Sequence, residues 1–227
     1  MSARRVGILG GTFDPIHCGH LDLAAAAQRA LGLAKVYVVP SCIPPHRPQP
    51  IASVYHRFAM AAMAVEGHPS WRVSDLELRV AEPSFTTTTL ARFRDRGYAP
   101  GELFFILGAD AFLEIGSWRN YPRLLEQAHF AVVSRPGLRV DQLPRRLPDL
   151  APRMAHPPLG EYDQLDTLIL LIDAATADVS STAIRQCRLT GLPTGGMVPP
   201  LVQQHIEQHG LYTPRGQGRR LNDAPPR

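Results

Sequence analysis

Short, almost wholly apolar runs recur along this chain, and stretches with helical periodicity lie between them. The runs occupy residues 6–9, 35–39, 103–107, 130–133 and 168–172, with a shorter one at 71–73. A strand with one wet face alternates polar and apolar residues. Runs that are apolar at nearly every position instead describe strands covered on both faces. The first helical stretch opens near His20, with Leu21, Ala24, Ala25, Gln28 and Leu31 on one face and Gly32 as its stop. Others are expected at 53–65, 87–96, 111–115 and 124–127, then from Ser180, and finally after Pro199-Pro200 to near Gly210. This alternation predicts an α/β, Rossmann-like fold: a mainly parallel sheet with helices on both faces. Residues 138–164, with prolines at 144, 148, 152, 157 and 158, read as an irregular surface excursion.

Ligands in such folds collect at the carboxyl ends of the strands. The glycine-rich and polar clusters of this chain follow the strands: GGTFDPIHCGH after the first, PSCIPPHR after the second, GAD after the run at 103–107 and SRPG after that at 130–133.

Composition removes several classes of function. The N-terminus, MSARRVGILGG, has two arginines and a four-residue apolar run, too short for a secretory leader. No stretch reaches the roughly 20 apolar residues that cross a bilayer, so no membrane partner is expected. Cys18, Cys42 and Cys187 are odd in number and widely spaced, which fits a reducing, cytoplasmic setting. The net charge is +4, but Arg215, Arg219, Arg220 and Arg227 against Asp223 place +3 of it in the last fifteen residues. The near-neutral remainder is no nucleic-acid surface.

In GGTFDPIHCGH, Gly10, Gly11, Thr12 and Phe13 lead to His17 and His20. Glycines let backbone N–H groups approach a ligand closely, and a following helix N-terminus completes an anion cradle. The glycine spacing is not GxGxxG, and no GK[ST] follows to make a Walker A loop. A zinc site at His17, Cys18 and His20 has no further ligand cluster to complete it, so no protein-held metal is expected. Helix capping by the two histidines is the plain structural alternative.

Gly11, Phe13, Pro15, His17, Gly19 and His20 spell GxFxPxHxGH, which resembles the signature of the nucleotidyltransferase superfamily. Ser180-Ser181-Thr182-Ala183-Ile184-Arg185 resembles its second element, SSTxIR. Alone, that segment would be an ordinary Ser/Thr cap with a solvent arginine; paired with the first motif it reads as a phosphate site. The closer resemblance is to the bacterial nicotinate-nucleotide adenylyltransferase family. It is carried by GGTFDPIHCGHLDLA, Pro45-His46-Arg47, Ser84-Phe85-Thr86 with Thr89-Leu90, Gly108-Ala109-Asp110, Trp118, Ser134-Arg135-Pro136-Gly137 and the ending around Gly210-Leu211-Tyr212. Thr88, Phe85 and Cys187 depart from the family's aspartate, tyrosine and second arginine.

The resemblance implies a nucleotidyltransferase domain over 1–212 with a C-terminal helical portion, while residues 213–227, rich in Gly, Pro and Arg, read from composition as a disordered tail. It implies ATP and nicotinate mononucleotide as substrates and a magnesium ion carried by them. Catalysis would rest on His17, His20 and Arg185. ATP would also meet Gly10, Gly11, Thr12, Phe13, Ser181 and Thr182, with Ser134 and Arg135 on the adenine side. The acceptor would meet His46, Arg47, Thr86, Asp110, Trp118 as a stacking face, and Arg119. Pantetheine-phosphate adenylyltransferases share the first motif but lack the GAD, Trp and SRPG set. The amide mononucleotide as acceptor stays open, and a non-catalytic nucleotide-binding regulator is the alternative from another class, against which His17 and His20 argue.

Overall fold

The computed structural model describes residues 5–45, 49–79, 82–158 and 167–214. His46, Arg47 and the tail from 215 onward lie outside the described residues.

The chain runs β1 (Val6–Gly11), α1 (Cys18–Leu31), β2 (Lys35–Pro40), α2 (Val54–Ala64) and β3 (Trp71–Val73). It continues with α3 (Thr86–Arg94), β4 (Leu103–Gly108), α4 (Ala109–Leu113), β5 (His129–Val133) and α5 (Leu143–Arg146). β6 (Met154–Ala155), β7 (Ile169–Ile172), α6 (Ser181–Thr190) and α7 (Pro200–Gln208) follow. The strands form one sheet in the order β3-β2-β1-β4-β5-β7-β6, and each neighbouring pair is parallel.

Both faces are covered, as the continuous apolar runs require. Phe104 and Ile106 of β4 pack with Leu23, Ala27, Met60, Ile184, Val202 and Ile206 of α1, α2, α6 and α7. Phe105 and Leu107, one residue out of step, pack on the other face with Leu90, Phe93, Phe112 and Leu143 of α3, α4 and α5. The sheet grows in opposite directions from β1 and β4, so a topological switch lies between them, and a crevice opens there at their carboxyl ends.

Several expectations need correction. Gly10 and Gly11 do not turn the chain; they extend β1, opposite Val39 and Pro40. Their value is closeness, since a Cβ at Gly11 would lie 2.8 Å from the Phe13 ring. The reversal falls later, at Phe13, whose φ is +51°. α1 starts at Cys18 with His17 as its N-cap, and Gly32 ends it in the left-handed region at φ +60°. Its buried stripe is Leu23, Ala24, Ala27 and Leu31, with Ala26 beside it. The alanine run makes either side of the helix a plausible inner face, so the sequence did not choose between them. Gln28 serves the core as a polar bridge: it accepts from Trp71 Nε1 at 2.7 Å and donates to Ser70 Oγ at 2.8 Å. The expected helix at 124–127 is a 3-10 turn, Arg123–Glu126.

The largest difference is the proline-rich excursion, of which residues 159–164 lie outside the described residues. It buries Val140, Leu143 and Leu150 and adds β6 to the sheet edge beside β7. Prolines stop long helices but allow short 3-10 turns, and three apolar residues spaced through such turns anchor the segment.

Candidate active site

The loop after β1 is held from below by buried charges. The Asp14 carboxylate, 5% exposed, accepts from Ile51 N at 2.8 Å, Ala52 N at 3.1 Å and the Tyr212 hydroxyl at 2.8 Å. Arg57 of α2, 1% exposed, donates to Thr12 O at 2.6 Å, Ser41 O at 2.7 Å and Cys42 O at 3.2 Å. Burial lowers the Arg57 pKa, and nearby Asp14 opposes that shift. Such charges are tolerable inside a protein because hydrogen bonds compensate their lost hydration. Asp14 and Arg57 thereby fix the backbone that presents the histidines.

His17 caps α1 and stacks on His20, with ring centroids 3.7 Å apart. His20 Nδ1 accepts from the His17 backbone N–H at 3.2 Å, and Phe13 meets the His20 ring edge-on at 5.0 Å. His17 is 3% exposed. Its pKa is lowered to about 4, first by burial and then by the positive charge of Arg135, so it is neutral at physiological pH.

Arg135 travels further than its place after β5 suggests. Its stem crosses the end of β4, where a Cβ at Gly108 would meet it at 2.9 Å. Its guanidinium reaches the start of α1 and donates to Val179 O at 3.2 Å. A Cβ at Gly19 would lie 2.8 Å from Arg135 Nη1 and 3.2 Å from His17 Nδ1. Those two buried nitrogens have no hydrogen-bond partner among the described residues. Two unpaired polar atoms thus meet over a glycine at a helix N-terminus. Arg135 was expected on the adenine side; its charged end lies beside the histidines.

The second motif closes on the first. Ser180 caps α6 by accepting from Ala183 N at 3.1 Å. Ser181 Oγ donates to Pro15 O at 2.9 Å, and Arg185 donates to Asp14 O at 2.7 Å and Thr182 Oγ1 at 3.1 Å. Residues some 170 apart in sequence therefore share one loop. Neither α1 nor α6 has an acidic residue in its first turn, so no carboxylate there neutralises the positive end of either helix dipole.

Next to this centre lies a cleft of about 440 Å³ lined by Ser134, Arg135, Gly137, Arg139, Asp173 and Thr176. Ser134 Oγ donates to Asp173 at 2.8 Å and accepts from Val140 N at 3.2 Å, so its side chain shapes the cleft wall.

The expected acceptor residues are more dispersed. Thr86 opens α3, and Asp110 lies in the first turn of α4. The Asp110 carboxylate folds back toward Gly108, close to the Arg135 stem. Trp118 is half-buried, its ring edge-on to Phe105 at 6.1 Å. The Arg119 guanidinium lies 4.4 Å from the centre of the Phe85 ring, which joins the start of α3 to the Trp118 loop through a cation–π contact. His46 and Arg47 lie outside the described residues.

Asp14, Arg57, Tyr212 and Glu77 carry roles that the sequence alone does not point to. Glu77 is buried, receives a short hydrogen bond from Thr89 Oγ1, and has its pKa raised chiefly by burial. It places a carboxylate under α3, while position 88 carries a threonine. Its only sequence signal was a glutamate within an alternating SDLEL segment, which reads equally well as a solvated face.

Comparison with known proteins agrees with this arrangement. Residues 8–187 match the cytidylyltransferase-like family. A probable nicotinate-nucleotide adenylyltransferase of Pectobacterium atrosepticum is 40% identical over 204 residues, covering 89% of this chain and 96% of the relative. One from Aeromonas hydrophila is also 40% identical, over 210 residues, covering 92% and 97%. In fold, the chain is similar to Plasmodium falciparum nicotinic acid mononucleotide adenylyltransferase complexed with NaAD, with a TM-score of 0.65 at 18% identity, covering 92% of this chain and 97% of that one.

Proposed function

The chain belongs to the cytidylyltransferase-like family and, within it, to the nicotinate-nucleotide adenylyltransferases, and from that premise we propose that it transfers the adenylyl group of ATP to nicotinate mononucleotide, releasing pyrophosphate. The observation that carries the reading is the pair of unpartnered buried nitrogens, His17 Nδ1 and Arg135 Nη1, converging over Gly19. Burying them costs free energy that an anion with several acceptor oxygens would offset.

In this reaction an oxygen of the acceptor phosphate attacks the α-phosphorus of ATP, and the bond to the bridging oxygen of pyrophosphate breaks. The attacking phosphate is already ionised, so no general base is needed. The protein's work is alignment and charge stabilisation. His20 and Arg185 flank the loop that would carry the triphosphate, and the free ends of α1 and α6 add favourable dipoles. Arg135, beside His17, would draw the phosphates into the crevice between β1 and β4. His17, neutral in the free protein, would act as a hydrogen-bond donor rather than as a fixed charge.

The donor set also fits a magnesium ion carried by substrate oxygens and water. The Asp14 carboxylate is already taken by two amides and a hydroxyl, and Asp22 accepts from Ala177 N at 2.8 Å. No residue of this chain would need to hold the ion directly. When bound it would screen phosphate charge.

On the acceptor side, the half-buried Trp118 ring supports stacking of a flat pyridine ring, and Thr86, Asp110 and Arg119 are the further candidates for acceptor contacts. The test is pyrophosphate release from ATP and Mg²⁺ with the acid mononucleotide, the amide mononucleotide or phosphopantetheine. The acid should be preferred over the amide by at least tenfold in kcat/KM. Equal or reversed preference would reduce the assignment to adenylyl transfer alone, and no release with any acceptor would overturn it.

A further inference from the structure

Three histidines meet where α2 packs on α7, and none of them has been given a part in adenylyl transfer. His56 lies in the first turn of α2. His205 and His209 are four residues apart, at the end of α7 and at its C-cap. That spacing puts both on one side of a helix, and His56 faces them from the neighbouring element. The ring centroids are 5.2 Å apart for His56 and His205, 4.8 Å for His56 and His209, and 4.4 Å for His205 and His209. His56 Nδ1 and His205 Nε2 are 3.0 Å apart, and one ring nitrogen from each of the three falls within 4.8 Å of the others.

We propose that His56, His205 and His209 form a binding site for one zinc-class divalent transition-metal ion, which ties α7 to α2. Zinc–imidazole bonds of about 2.0–2.1 Å at tetrahedral angles place ligand nitrogens roughly 3.3 Å apart. The His56–His205 pair is within a few tenths of an ångström of that edge. The remaining separations close by at most about 1.5 Å, and His209, exposed at the helix end, is the ring free to make that adjustment. Three imidazoles leave the fourth position to water. An all-nitrogen set suits Zn²⁺, Co²⁺, Ni²⁺ and Cu²⁺, and disfavours Mg²⁺, which prefers oxygen. The site is therefore separate in chemistry from the magnesium that would accompany ATP.

The consequence is structural. The segment after α7 carries Tyr212 to Asp14 beneath the phosphate loop, so a metal clip between α2 and α7 would stabilise the piece of chain that completes that hub. An ion that binds only the folded protein raises its stability by mass action.

The experiment uses the full chain without an affinity tag, stripped with chelator and titrated with Zn²⁺ by calorimetry. Co²⁺ absorption reports the geometry, and thermal unfolding is followed with and without Zn²⁺. One ion per chain, a tetrahedral Co²⁺ spectrum, a higher Tm with Zn²⁺ and no competition from millimolar Mg²⁺ are expected. His209→Gln and His56→Gln, each checked for native circular dichroism, should weaken Zn²⁺ binding at least tenfold and remove the Tm increase. No stoichiometric binding by the parent chain would overturn the proposal. So would binding that survives His56→Gln unchanged, because the ion would then not bridge the two helices. Neither result bears on adenylyl transfer.

Discussion

Adding one methyl group at Gly19 separates the stability of this fold from its chemistry. Gly19 is the second residue of α1, and a Cβ there would sit 2.8 Å from Arg135 Nη1, 3.1 Å from Ala177 O and 3.2 Å from His17 Nδ1. Alanine gains up to ~1 kcal/mol over glycine within a helix. The tight contact with the Ala177 carbonyl works against that gain, while the arginine tip can swing away at little cost. The two effects nearly cancel, so Gly19→Ala should shift Tm by no more than about 2–4 °C, the change that ~1 kcal/mol makes in a chain of this size. Activity should behave differently. The cheapest way to relieve the 2.8 Å contact is to swing the flexible Arg135 tip away, which moves the guanidinium out of the space where phosphate charge would sit. Losing one such preorganised donor costs roughly 10²–10³ in kcat. Arg135→Ala should lose a similar amount, and the double variant should be no worse than either single, since both remove one interaction. The assays are thermal unfolding and pyrophosphate release on all four proteins. A folded Gly19→Ala enzyme within threefold of the parent in kcat/KM, or losses that multiply in the double variant, would show that Arg135 and His17 do not share an anion over this glycine.

Four further outcomes follow from the same geometry. His20→Ala should keep native circular dichroism and lose about 10² in kcat if its ring meets developing charge; a rise confined to the KM for ATP would give it a ground-state role only. Trp118→Ala should raise the KM for the mononucleotide far more than that for ATP, and the reverse result would put the ring in the wrong half of the site. The His17 pKa falls from 6.5 to about 4 on folding, so the unfolded chain binds the extra proton in that window, and stability is lost as pH drops through it. The loss is about 3 kcal/mol by linkage; denaturant titrations from pH 7 to 4 should show His17→Asn with a shallower decline, and parallel curves would refute it. Tyr212→Phe removes a buried donor to Asp14 and should cost roughly 1.5–3 kcal/mol in urea unfolding, a value near zero showing that the hub does not depend on it.

How much of this was legible in the sequence follows the range of the interactions concerned. Strands and their coverage were plain because burial on both faces writes itself as a continuous apolar run, as in residues 103–107. Gly32 was plain because a left-handed cap is a local demand. The inner face of α1 was not, because four consecutive alanines give no contrast between its sides. β6 was hidden by prolines that favour loops locally, while Val140, Leu143 and Leu150 win burial only against a sheet already formed. The histidine pair and the SSTAIR segment were visible as local motifs, but their meeting on the backbone of Asp14 and Pro15 is a tertiary fact. The same holds for His56 with His205, 149 residues apart, which no spacing rule for metal ligands detects.

The buried hub explains why the phosphate loop needs partners from so much of the chain. Two anions must be brought together in the proposed reaction, so the crevice should be positive without binding its own carboxylates. Asp14 lies within that loop, yet its charge is spent on Ile51, Ala52 and Tyr212, below the surface that faces the crevice. Arg57 balances it in the core, where its two terminal nitrogens donate to three carbonyls and its buried Nε has no partner among the described residues. The buried layer is therefore close to neutral and tied together by hydrogen bonds. Arg135 and Arg185 keep their charge at the mouth, where one has an unpaired nitrogen and the other remains partly exposed. Substituting Asp14 by Asn would unbalance the layer without adding any group to the crevice. A loss of stability with an unchanged order of substrate preference would follow from such a division of labour, whereas a switch in acceptor preference would place Asp14 in the recognition surface itself.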